Sequence, residues 1–189
     1  MGLFDLLKDY KGLKKDPNLI ILGLDNAGKT TILYYLTEEK NTEIKPTKGT
    51  NTKTIIQDEY KISLCDIGGH KDIRQFWPNF FNNCDGIIYV IDASDETRID
   101  EVNDELKSLI KDEKLSQLPL LIFANKSELD NVLEADEIIS KLDLENVTDR
   151  DWLLYASSAL SGFGIMEGFI WLMNKISSKF HSKQSSLIK

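Results

Sequence analysis

The residues of this chain that most plainly do chemistry are Gly23-Leu24-Asp25-Asn26-Ala27-Gly28-Lys29-Thr30, a Gly-x-x-x-x-Gly-Lys-Thr run followed by Thr31. The chemistry is the cradling of a polyphosphate. Gly23 and Gly28 free the backbone, so the N–H groups of Asp25, Asn26, Ala27 and Gly28 wrap a phosphate, and the helix that follows points its positive end at the same place. Lys29 reaches the β- and γ-phosphates. Thr30 offers its hydroxyl to Mg²⁺, a hard cation that takes oxygen ligands. Such a loop works only if both ends are held. Leu19-Ile20-Ile21-Leu22 is an apolar run of strand length, and Ile32, Leu33 and Leu36 resume at helical spacing, so the motif sits on a strand–loop–helix.

Two further groups fall at strand ends. Thr50 to Gln57 and Tyr60 to Asp66 read as a hairpin joined by Asp58-Glu59, on their Thr and Ile content. The second strand ends in Asp66-Ile67-Gly68-Gly69-His70. An Asp there assists Mg²⁺ through a water, while the Gly69 N–H approaches the γ-phosphate. Turns produce Asp-x-x-Gly constantly, so this reading rests on its place downstream of the phosphate loop. Pro119 opens a strand, Leu120 to Ala124, that delivers Asn125-Lys126-Ser127-Glu128 to a loop. Guanine presents N1–H and N2–H₂ donors, which the Glu128 carboxylate accepts while the Lys126 stem lies along the ring. In Ser158-Ala159-Leu160, after the strand Trp152 to Ala156, a backbone N–H near Ala159 donates to the guanine O6. Four signals in order, each after a strand, describe a guanine-nucleotide pocket.

The positioning elements follow from period. Ile87 to Ile91 is a buried strand, and helices follow on the spacing of Ile99, Val102, Leu106, Leu109 and Ile110, then of Ala135, Ile138, Ile139 and Leu142, then of Ile165, Phe169, Leu172 and Ile176. Strands alternating with helices predict an α/β fold: a mostly parallel six-stranded sheet with one antiparallel strand, helices on both faces, and the ligand at the strands' carboxyl ends. The domain expected is 17–180, preceded by an amphipathic helix over 1–16 and followed by a flexible polar tail over 181–189. The chain of 189 residues has 41% hydrophobic and 29% charged residues, which suits a single domain with its own core. A net charge of −8 argues against nucleic-acid binding. Cys65 and Cys84 are too few for a disulfide framework and are expected reduced, in a cytoplasmic setting. No apolar run approaches the length needed to span a bilayer.

At the start, Leu3, Phe4, Leu6, Leu7, Tyr10 and Leu13 form one helix face bordered by Lys8, Lys11 and Lys15. That face suits either a membrane surface or a groove of the protein itself. Gly2 is in the place of a myristoyl acceptor, but the pattern wants Ser or Thr where Leu6 stands, so acylation is not expected.

Gly23 to Thr31, Pro46-Thr47-x-Gly49-x-Asn51, Asp66-Ile67-Gly68-Gly69 and Asn125-Lys126 together resemble the Arf family of small GTPases, most closely its Arf-like type 3 and type 2 branch. The resemblance implies that Thr47 joins Thr30 and Asp66 around Mg²⁺, that Thr31 touches the α-phosphate, and that His70 stands where a Gln orients the attacking water. It implies GTP and GDP as ligands, an exchange factor and a GTPase-activating protein as partners, and effector carriers of prenylated or myristoylated cargo. It implies a monomer with reversible membrane or ciliary association, and a strand pair that shifts register with GTP to expel the N-terminal helix.

Departures from the family pattern set the open questions. Gln is replaced by His70, Asp by Glu128, Trp by Cys65 and Phe by Thr50, so an effector patch of Thr50, Cys65 and Phe80 is smaller and less aromatic. An imidazole has one donor and one acceptor in fixed, divergent directions, so His70 is expected to orient water poorly. A slow switch competes with a nucleotide-bound scaffold that does not cycle, and with an unrelated P-loop phosphotransferase.

Overall fold

Alternating side chains on the buried strands build the fold by sending successive residues to opposite faces of one sheet. The computed structural model describes residues 16–39, 45, 47–57 and 60–187, and of 57, 60 and 181–187 it describes the backbone. Residues 1–15 of the N-terminal helix expected over 1–16, Pro46 and the Asp58-Glu59 connection lie outside the described residues. Leu19 and Ile21 turn to one face with Ile88, Val90, Leu121 and Phe123. Ile20 and Leu22 turn to the other with Ile87, Tyr89, Ile91 and Ile122. Strands apolar on both sides need cover on both sides, which is what helices supply.

The elements in order are β1 (Asn18–Leu22), α1 (Lys29–Leu36), β2 (Thr50–Gln57), β3 (Tyr60–Ile67), α2 (Lys71–Arg74), β4 (Gly86–Asp92), α3 (Ile99–Lys111), β5 (Leu120–Asn125), α4 (Ala135–Lys141), β6 (Trp152–Ala156) and α5 (Ile165–Leu187). The sheet order is β2-β3-β1-β4-β5-β6. Only β2 runs antiparallel to its neighbour, pairing Thr50 with Ile67 and Thr54 with Ser63. The sheet expected from sequence is therefore the sheet observed. One face packs on α1 and α5 through Ile32, Leu33, Leu36, Phe169, Leu172 and Ile176. The other packs on α3 and α4 through Val102, Leu106, Leu109, Ile138 and Leu142.

Two features differ from the sequence reading. The polar composition from Ser177 predicts fraying there, yet α5 continues through Leu187. The Ser177 and Ser178 hydroxyls donate to the carbonyls of Met173 and Asn174 four residues back, so these serines fold into the helix instead of competing with it. The short helix α2 carries no apolar period and follows from His70 alone: its carbonyl accepts from Ile73 N and Arg74 N and closes the turn. Cys65 and Cys84 are free thiols, and burial pushes Cys84 up to about 12. Among the described residues, no helix is long and apolar enough to cross a membrane.

Candidate functional site

The carboxyl ends of β1, β3 and β5 and the loops after β1 and β6 meet in one cleft of about 420 Å³. Its lining includes Asp25, Asn26, Gly28, Lys29, Thr30, Thr31, Thr47, Gly69, His70, Asn125, Lys126, Glu128 and Ala159. The volume falls in the range of sites that enclose a small-molecule ligand. The backbone at Gly23 and Gly28 takes φ of 135° and 97°. A Cβ on Gly23 would stand 2.2 Å from the Val90 carbonyl oxygen, and one on Gly28 would stand 2.2 Å from Asn125 Nδ2. The two glycines of the motif are thus required by a close approach as well as by conformation.

Lys29 opens α1 with 6% of its surface exposed and donates from Nζ to the Leu24 carbonyl at 2.7 Å. Burial lowers its pKa to about 8, against the opposing pull of Asp66 and Asp25. Beneath it, Thr30 Oγ1 donates to Asp66 Oδ2 at 2.6 Å and lies 3.0 Å from Thr47 Oγ1, so the three residues assigned to Mg²⁺ are brought together. Asp66 is fully buried, and its Oδ1 has no hydrogen-bond partner. Burial pushes the Asp66 carboxyl up, opposed by the Thr30 hydroxyl and the Lys29 charge. A buried carboxylate oxygen left unpaired beside two hydroxyls fits a hard divalent cation, which would satisfy the oxygen and favour the ionised form. Thr30, Thr47 and Asp66 would hold such an ion.

At the base end, Asn125 is a strap. Its Nδ2 donates to the Ala27 carbonyl at 2.8 Å, and its Oδ1 accepts from Ala159 N at 2.9 Å, joining the phosphate loop to the loop after β6. The Ala159 N–H, in the stretch where the guanine O6 donor is expected, is thus bonded to Asn125. Ala27 and Ser158 are buried behind the lining. Ser158 holds the loop, its N–H donating to Phe163 O and its Oγ accepting from Ser161 N. Lys126 takes φ of 67° and reaches Asp92 Oδ2 at 2.5 Å. Glu128 stands exposed at the rim, where a carboxylate meets whatever enters.

His70 lines the cleft with its side chain 66% exposed and Nδ1 3.5 Å from Asp72 Oδ2. Gly69 lies against the phosphate loop so closely that a Cβ would be 2.3 Å from Gly23 O and 2.5 Å from Asp25 N. Sequence reasoning missed Asp92, Arg74, Arg98 and the cleft residue Lys45, whereas Leu160 of the Ser158-Ala159-Leu160 signal does line the cleft. Asp92 had a signal, a carboxylate ending a strand beside Asn125 in register. The arginines had none: Arg98 Nη1 meets Asp25 Oδ1 at 3.2 Å across 73 positions of chain.

The matches to known proteins agree with this geometry. The model of the ADP-ribosylation factor family matches residues 3–176. The ADP-ribosylation factor-like protein 3 of Chlamydomonas reinhardtii is 46% identical over 93% of this chain and 99% of its own length. The ADP-ribosylation factor-like protein 2 of Dictyostelium discoideum is 42% identical over 95% and 97%. Among solved structures, the Arl6 small GTPase of Trypanosoma brucei, with bound nucleotide analogue GppNp, superposes with a TM-score of 0.80 at 32% identity over 86% of this chain and 98% of that one.

Proposed function

The chain belongs to the ADP-ribosylation factor family of small GTPases, and from that membership we infer a guanine-nucleotide switch that binds GTP and GDP with Mg²⁺ and hydrolyses GTP slowly. The observation carrying this reading is the strap at Asn125, which ties phosphate loop and base loop into one cleft with Lys126 anchored on Asp92 and Glu128 at the rim. Within it, Asp25 to Thr31 hold the phosphates, with Lys29 on the β- and γ-phosphates. Thr30, Thr47 and, through water, Asp66 would hold Mg²⁺, which would supply neutralisation of charge on the phosphates. Gly69 N–H meets the γ-phosphate. His70 stands beside the attacking water and positions it poorly, so intrinsic turnover is slow.

Regulation and partners follow the same proposal. Residues 17–180 are the GTPase domain of this proposal, and the apolar face of the preceding segment is what GTP releases toward a membrane or a partner. An exchange factor and a GTPase-activating protein drive the cycle. Carriers of prenylated or myristoylated cargo are the effectors, with a monomer in the cytoplasm associating reversibly with membranes or the cilium. Thr52 Oγ1 donates to Cys65 Sγ at 3.4 Å across the β2–β3 pair, so the patch of Thr50, Cys65 and Phe80 offers a smaller apolar surface than an aromatic one would.

A second reading, a nucleotide-bound scaffold that does not cycle, is favoured by one observation: the His70 imidazole is mostly in solvent and its nearest charged partner is Asp72. Single-turnover hydrolysis decides between them. The switch requires measurable GTP turnover that rises in His70→Gln and rises again with a GTPase-activating protein. Absence of turnover in every arm selects the scaffold. Competition between ATP and GTP at equal Mg²⁺ tests the base reading, which fails if both bind alike.

A further inference from the structure

Arg74 is a buried cation with partners on three segments of the chain, and no nucleotide-binding motif accounts for it. Its side chain is 5% exposed. Nε donates to the Gly69 carbonyl at 2.6 Å, Nη1 to Glu101 Oε1 at 2.7 Å and to Glu105 Oε1 at 3.2 Å, and Nη2 lies 3.6 Å from Asp25 Oδ1. One guanidinium therefore touches the γ-phosphate loop, the phosphate loop and helix α3. Removing such a buried hub would leave two carboxylates and a carbonyl without their partner.

The segment between Gly69 and Arg74 is closed twice, by Arg74 N on the His70 carbonyl and by Arg74 Nε on the Gly69 carbonyl. A trans peptide is planar, so fixing the Gly69 carbonyl also fixes the plane of the Gly69–His70 bond and sends the His70 N–H the opposite way. Gly69 itself has no room to shift toward Gly23 or Asp25. We propose that Arg74 is a positioning residue for GTP hydrolysis, setting the Gly69–His70 peptide against the phosphate loop by bracing it on Glu101 and Glu105 of α3. This rests on the reading that Gly69 and His70 serve the γ-phosphate. Arg is suited to the role and Lys is not, because a planar fork can satisfy a carbonyl and two carboxylates at once.

The test measures single-turnover GTP hydrolysis, GDP affinity and melting temperature in Arg74→Met, Arg74→Lys and the Glu101→Gln/Glu105→Gln pair, each with and without His70→Gln. The carboxylate pair is partly exposed and decides the question if the arginine variants fail to fold. The expected result is a fall in turnover of about tenfold to a hundredfold, the scale of misplacing a reacting group by about 1 Å. GDP affinity should stay within about threefold, and Arg74→Lys should recover melting temperature without recovering turnover. Turnover falling only in step with GDP affinity and melting temperature, with all three recovered together by Arg74→Lys, would overturn the proposal, as would unchanged turnover in the Glu101→Gln/Glu105→Gln pair. If His70→Gln alone changes nothing while the Arg74 and glutamate variants slow turnover, the reading of His70 fails and Arg74 stands, acting through Gly69.

Discussion

The phosphate end and the base end of the cleft are held by different means. The phosphate loop is backbone against backbone: Gly23 beneath Val90, Gly69 against Gly23 and Asp25, each at a distance no side chain tolerates. The base loop is hung on side chains, with Asn125 bonded to Ala27 and Ala159, and Lys126 to Asp92. A backbone cradle has no softer substitute, because adding any atom moves the main chain itself. A side-chain suspension degrades in steps, and this chain already carries one step in Glu128.

The contrast yields graded expectations. Gly23→Ala should do most damage, since its Cβ would overlap the Val90 carbonyl and the residue would sit at φ 135°. The expected loss is about 3 kcal/mol or more of stability, with nucleotide binding abolished. Thermal melting and titration with a fluorescent GDP analogue check it, and near-normal binding would show that the cradle yields after all. Asn125→Ala should cost about 3 kcal/mol in nucleotide binding, a little over a hundredfold in Kd, by orphaning the Ala27 carbonyl and the Ala159 N–H. If the loss there is only severalfold, the strap is not what joins the two ends.

Glu128→Asp sharpens the comparison from the other side. Shortening the carboxylate by one methylene should improve its hydrogen bonds to the base by about 1 kcal/mol and tighten GTP about fivefold, without changing ATP affinity. Equal gains for both nucleotides would move Glu128 off the base. The smallest effect belongs to Lys29, whose pKa in the nucleotide-free protein is lowered to about 8 by burial. Beside a polyphosphate the ammonium form is favoured, so binding takes up a proton once the free protein starts to lose it. Affinity is therefore nearly insensitive to pH below about 7 and falls as pH rises through about 8, by about fourfold between about pH 7 and about pH 8.5. Calorimetry in buffers of different ionisation enthalpy reports the uptake, and no uptake at about pH 8.5 would mean that Lys29 stays charged in the empty cleft.

The same contrast explains what could be read before the structure was known. The sheet was legible because strands such as Ile87 to Ile91 and Leu120 to Ala124 are apolar on both sides and end in polar groups. The phosphate loop was legible because its demands are local: glycines at fixed spacing and a lysine at the mouth of a helix. Arg74 and Arg98 were not, because each reaches a partner far along the chain, and from sequence each looks like any surface arginine. The bond between the Ala159 N–H and Asn125 was hidden for a related reason: its acceptor lies 34 positions earlier in the chain.

The Asn125–Ala27 bond also has a consequence in time. It joins residues 98 positions apart, so on a ribosome adding about 5–20 residues per second the glycine loop emerges about 5–20 s before the side chain that locks it. Through that interval the nascent chain carries a phosphate-binding sequence without its brace, and loop closure must wait for β5 to dock beside β4. Nucleotide capture is then a late event in the life of the new chain, and the stability contributed by the ligand arrives only once two thirds of the protein has been made.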